Sequence, residues 1–91
     1  MRLDEILDNN KLFGFRVLDG TNIITKYVFD LSQSDAEAMA MYYQTRYFRP
    51  GREDTSNYKI QILYRRRVVK EFWMDKNCEV HTKLISRKDF P

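Results

Sequence analysis

Few of the residues that build catalytic and cofactor sites occur in this chain. Cys78 is the single cysteine, so no disulfide closes within the chain and a reducing, cytosolic setting is expected. His81 is the single histidine. With Cys78 and the preceding Asp75 it has the look of a metal site, but zinc takes three or four protein ligands and there is no second His or Cys to supply them. On a strand, Cys78 and His81 also point to opposite faces, being an odd number of residues apart. Metal: none is the expectation. The glycines, Gly14, Gly20 and Gly51, stand alone, so no phosphate-cradling loop is present. No Ser–His or Cys–His pair has an orienting carboxylate beside it. These absences point to a protein that is not an enzyme and uses no cofactor.

Long apolar runs are missing as well. None approaches the ~18 residues of a membrane-spanning helix. The opening Met1-Arg2-Leu3-Asp4-Glu5 lacks the apolar stretch of a signal peptide. A cytoplasmic protein with no membrane contact is expected. What is present is an ordinary globular balance, 43% hydrophobic and 32% charged, in 91 residues that make one domain, 1–91. The net charge of +3 is unevenly placed. Residues 1–45 carry four basic against seven acidic side chains, and residues 46–91 carry twelve against six. Such asymmetry orients a protein toward an anionic partner.

Leu3, Ile6 and Leu7 fall at helical spacing, so residues 2–9 read as a short N-terminal helix. Phe13, Phe15 and Val17 alternate along a first strand. Asp19-Gly20 marks a tight turn, and residues 23–29 return. A two-residue or a four-residue loop puts Phe13, Phe15, Val17, Ile24 and Val28 on one face, because slipping by two preserves parity. Leu18, Ile23 and Tyr27 then lie opposite. Ser34 and Glu37 have capping-box spacing and open a long helix over residues 35–48. Its inward stripe is Ala36, Met39, Ala40, Tyr43 and Tyr47. Pro50-Gly51 ends it.

Residues 58–64 and 68–74 form a second hairpin whose register stays open. A three-residue loop of Arg65, Arg66 and Arg67 pairs Ile60 with Phe72, and a two-residue loop pairs it with Glu71; the first aligns the apolar faces. Residues 78–85 make a fifth strand, and residues 86–91 a frayed tail. The fold class is α+β: a short N-terminal helix, then ββαββ(β), with one long helix packed on one face of a mainly antiparallel sheet.

One helix covers one sheet face, yet Val69 and Trp73 lie opposite Phe72 and join Leu18, Ile23 and Tyr27 on the second. The N-terminal helix, the C-terminal segment or another chain is needed to cover it. The candidate contact site is the cluster Arg65, Arg66 and Arg67 with Lys59 and Lys70. Crowded guanidinium groups gain from a phosphate or carboxylate partner. Arg46, Arg49 and Arg52 extend this surface if the fold brings them close. Tyr58 and Tyr64 beside the arginines, with Trp73, are the candidate stacking residues. Together these suit a binding module for a macromolecular partner, a protein ahead of nucleic acid. An adaptor or inhibitor of a nucleic-acid-handling enzyme, such as bacteriophages encode, is the leading expectation. Direct DNA or RNA binding is the alternative, and a homodimeric structural subunit the second.

Overall fold

The computed structural model describes residues 11–20, 23–49 and 57–85. The N-terminal helix, the Pro50-Gly51 stop and the C-terminal tail expected from the sequence lie outside these residues. In chain order the elements are β1 (Phe13–Asp19), β2 (Ile23–Leu31), α1 (Gln33–Tyr47), β3 (Tyr58–Tyr64), β4 (Arg67–Met74) and β5 (Val80–Leu84). The strands form one sheet in the order β2-β1-β3-β4-β5, antiparallel throughout. This is an α+β domain with a single described helix on a five-stranded sheet. Because β1 separates β2 from β3, the chain must cross over the sheet between them. That crossover is α1.

Alternation sorts the strand residues into two faces. Phe13, Phe15 and Val17 stand directly opposite Tyr64, Ile62 and Ile60, and Ile60 opposite Phe72. These side chains are buried, with Ala36 and Ala40 of the helix in the same core. Met39, Tyr43 and Tyr47 pack around it, so the inward stripe is the one the helical spacing marks out. Small Ala36 and Ala40 let the helix approach the sheet closely, while the Tyr43 ring lies 5.1 Å from Phe15.

The helix starts earlier than its capping-box spacing suggests. Ser32, not Ser34, is the N-cap: its hydroxyl accepts from the Asp35 backbone N–H at 3.1 Å, and its carbonyl accepts from Ala36. Glu37, needed to complete the box, instead reaches Lys70 of β4 at 3.4 Å. Ser32 is also buried, and its hydroxyl lies 3.3 Å from that of Ser34. Ser32→Ala should therefore cost about 0.5–2 kcal/mol in a denaturation midpoint, and Ser34→Ala clearly less. The reverse order would return the cap to Ser34.

Three bulges overturn parity where the alternating pattern expects it to hold. Near the β1–β2 turn, Val17 pairs with Lys26 but Leu18 with Ile24, leaving Thr25 extra. The Thr25 hydroxyl donates to the Val17 carbonyl at 3.1 Å. One added residue exchanges the faces of all that follow. Ile24, expected in the core, therefore lies on the second face and is 49% exposed, while Ile23 pairs with Asp19. At the other end of β2, Phe13 pairs with Leu31 and Phe15 with Val28, so Gly14 alone faces Phe29 and Asp30. Asp30 takes a φ of 60° there. The third bulge, in β4, leaves Val69 extra between Ile62↔Lys70 and Leu63↔Val68. Val69 is fully buried in the helix-side core instead of lying on the second face.

Gly14 is fixed by the bulge beside it. A Cβ there would sit 2.9 Å from the Val28 carbonyl oxygen and 3.4 Å from Phe29 Cα, both backbone atoms. Gly14→Ala should force β2 away and cost about 1–3 kcal/mol. A melting temperature equal to the parent's would show that the bulge absorbs a methyl group freely.

A surface at the β2 margin

The arginine turn is tighter than three residues. Tyr64 pairs with Arg67, so Arg65 and Arg66 alone form the loop, with φ of 51° and 67°. Positive φ at both central positions is the type I′ geometry, which matches the twist of a hairpin and usually selects Asn-Gly. Two arginines pay a steric penalty that glycine avoids. The Ile60↔Phe72 pairing expected from a three-residue loop is nonetheless present, because the Val69 bulge restores the missing residue. The Arg65 backbone N–H donates to the Leu12 carbonyl at 3.0 Å, and its guanidinium lies 5.5 Å from the Tyr64 ring centre.

On the face away from α1, two rows of side chains cross all five strands. One runs Tyr27, Arg16, Gln61, Glu71, Lys83. Within it Arg16 Nε donates to Gln61 Oε1, and Gln61 Nε2 donates to Glu71 Oε2, each at 2.6 Å. This chain satisfies the buried Gln61 amide, which would otherwise be costly at 7% exposure. The other row runs Ile24, Leu18, Lys59, Trp73, His81. No other described helix or strand is layered on this face. Its exposed apolar residues gather at the β2 margin, where Phe29 is 64% and Tyr27 38% exposed. Their rings meet edge-to-face at 6.0 Å.

Between that aromatic pair and the Arg65–Arg66 turn lies a groove of about 250 Å³. Gly14 and Leu63 line it, with Tyr27 and Phe29 on one side and Lys11, Arg65 and Arg66 on the other; Asp30 also borders it. The bulge opposite Gly14 and the two-residue turn flank it.

The side chains picked out by sequence do not converge. Arg65, Arg66 and Arg67 share the hairpin tip and are exposed. Lys59 and Trp73 are on the second face, but Lys59 lies six residues from the tip, about 20 Å along an extended strand. Trp73 stacks on His81 with ring centres 5.4 Å apart. Tyr64 and Tyr58 instead face the helix. Tyr64 is 9% exposed against Phe13, and Tyr58 lies 4.6 Å from Tyr47, so both rings are occupied within the fold. Lys70 is on the helix face as well, paired with Glu37 and 5.3 Å from the Phe72 ring centre. Alternation accounts for this separation: even-numbered and odd-numbered positions of β3 leave on opposite sides. Arg46 sits in the last helical turn, over the start of β3 and away from the tip, where it donates to the Tyr42 hydroxyl at 3.2 Å. Arg52 lies outside the described residues. Phe29 is the residue missed by the sequence reading. Alternation from Val28 puts it on the second face with Tyr27, and the strand order brings that end of β2 beside the tip.

A second cluster forms around the β4–β5 turn. Ligand atoms of Asp75, Glu79 and His81 lie within 4.8 Å of one another, a trio that a search for His and Cys alone overlooks. Asp75 and His81 are engaged with each other, and Asp75 with the backbone. Asp75 Oδ1 accepts from the backbone N–H of Asn77 and Glu79, at 2.8 and 3.0 Å. Asp75 Oδ2 lies 2.6 Å from His81 Nε2. The His81 hydrogen bond, then the Glu79 backbone N–H, holds the Asp75 carboxyl below the ordinary 3.8. This geometry closes the turn and orients the edge strand β5.

No family model, no curated protein and no solved structure matches this chain. No helix among the described residues is long and apolar enough to cross a membrane.

Proposed function

We propose that this protein is a non-catalytic binding module that holds a partner protein against the β2 margin of its sheet, in the manner of an adaptor or an inhibitor acting by occlusion in the cytoplasm. The observation that carries this reading is the adjacency of exposed Tyr27 and Phe29 to the arginine turn. Tyrosine, phenylalanine and arginine are the residue types over-represented where proteins meet. The arrangement is also preorganised, since the aromatic pair stands on a bulged strand and the arginines on a two-residue turn. Preorganised side chains lose less entropy on association.

Direct binding of DNA or RNA is favoured by one observation, the compact positive charge of Lys11, Arg65 and Arg66 beside two aromatic rings. The remaining cations weigh against it. Arg16 is tied to Gln61, and Lys70 pairs with Glu37 on the opposite face, so neither extends the turn as a track for successive phosphates. A homodimer through the same face is the third possibility. Affinity capture from host lysate, with and without nuclease and with Phe29→Ala alongside, separates the three. The proposal expects a protein that survives nuclease treatment and is lost from the Phe29→Ala bait. Capture that nuclease abolishes would transfer the function to nucleic acid. A second copy of the chain as the sole retained protein would make it a dimer.

A further inference from the structure

We infer that the groove at the β2 margin is an anchor pocket for one large apolar side chain carried on an acidic segment of the partner. This rests on the protein-binding reading and adds the chemistry of what is bound. Size is the first reason. The groove of about 250 Å³ shares Tyr27, Phe29 and Arg66 with a second hollow of about 290 Å³, and either has room for a single side chain. Its lining matches that occupant: exposed Tyr27 and Phe29 offer apolar contact, with the buried Leu63 at the floor.

Charge is the second reason. Lys11, Arg65 and Arg66 stand on the rim against one carboxylate, Asp30. Arg66 has no ion-pair partner among the described residues. A segment with carboxylates on either side of its anchor complements that rim, and guanidinium groups bind carboxylates through paired hydrogen bonds. The turn itself is the third reason. Asn-Gly would close the hairpin without strain, whereas Arg65 and Arg66 hold positive φ and both line the groove, the Arg65 guanidinium lying against the Tyr64 ring. Strain retained in a turn points to a use for the side chains that cause it.

The test is an NMR titration of the intact protein with defined probes. One is the blocked pentapeptide Glu-Asp-Phe-Asp-Glu. The controls replace its Phe by Ala or its acids by Gln and Asn, and a short oligothymidylate stands for nucleic acid. The phenylalanine peptide should shift signals of Tyr27, Phe29, Leu63 and Arg66, and each control peptide should bind at least about tenfold more weakly. Phe29→Ala and Arg66→Gln should each reduce binding of the first peptide, and both positions are exposed enough to leave the melting temperature near the parent's. Tighter binding of the oligonucleotide at these signals would overturn the inference in favour of a stacked base and its phosphate. Absence of shifts in the groove with every probe would overturn it too. If a captured protein nevertheless protected β2, the binding face would stand and only the anchor would fail.

Discussion

Phe15→Ala should lower stability by about 3–5 kcal/mol, the range for removing a fully buried aromatic ring. Phe15 has no exposed surface and lies between Ile62 on the neighbouring strand and Tyr43 of the helix. Its removal opens a cavity where the helix meets the sheet, and the neighbouring side chains come from separate elements that cannot collapse together. A domain of this size has roughly 5–10 kcal/mol in total, so much of the chain should be unfolded near body temperature. Chemical denaturation with an unchanged slope and a sharply lowered midpoint is the expected record. A midpoint close to the parent's would show that the core lies elsewhere.

The second large effect runs in opposite directions for stability and binding. Replacing Arg65 by Asn and Arg66 by Gly gives the turn the residues its positive φ values favour. Relief of left-handed strain at two positions should stabilise the fold by about 1–2 kcal/mol. Removal of like-charge repulsion adds to the gain, and the lost contact of Arg65 with Tyr64 offsets part of it. Partner binding should nevertheless fall sharply, most of all at low ionic strength, where the field of exposed charges reaches furthest. A variant that is both more stable and still a full binder would reduce the turn to a device for solubility. Loss of stability would instead show that the two arginines hold the hairpin by contacts stronger than their strain.

Much of the architecture follows from periodicity. Phe13, Phe15 and Val17 mark the core face of β1, Ile60 and Ile62 that of β3, and the helical stripe from Ala36 to Tyr47 supplies the cover. Those patterns record burial directly, so they can be read without knowing the neighbours. The three bulges cannot. Thr25, Asp30 and Val69 carry no local mark, because each arises from how two strands meet at a distance in the chain. Their effect on single residues is large. Ile24 leaves the core and Val69 enters it. Strand neighbours were equally hidden, since nothing in residues 13–18 names 58–64 as a partner. The cap shows a subtler form of the same difficulty. Ser32 and Ser34 are both competent, and Glu37 would favour Ser34 had Lys70 of a remote strand not drawn it away.

The candidate site was legible in composition but not in place. Clustered arginines pointed to the tip, and the aromatics chosen to accompany them, Tyr58 and Tyr64, are on the helix side. Side-chain parity alone separates them from the exposed face once the core side of β3 is known. The rings that do accompany the tip, Tyr27 and Phe29, come from an edge strand about 35 residues earlier in the chain. Helix α1 offers a competing surface, for Met41 and Tyr42 are exposed on its outer side.

Hydrogen exchange of the protein, free and bound to its captured partner, decides between the two faces. Binding at the β2 margin predicts slowed exchange in β2 around Tyr27 and Phe29 and in the Arg65–Arg66 turn, with the outer side of α1 unchanged. Protection of α1 around Met41 and Tyr42, with β2 and the turn exchanging as in the free protein, would contradict it.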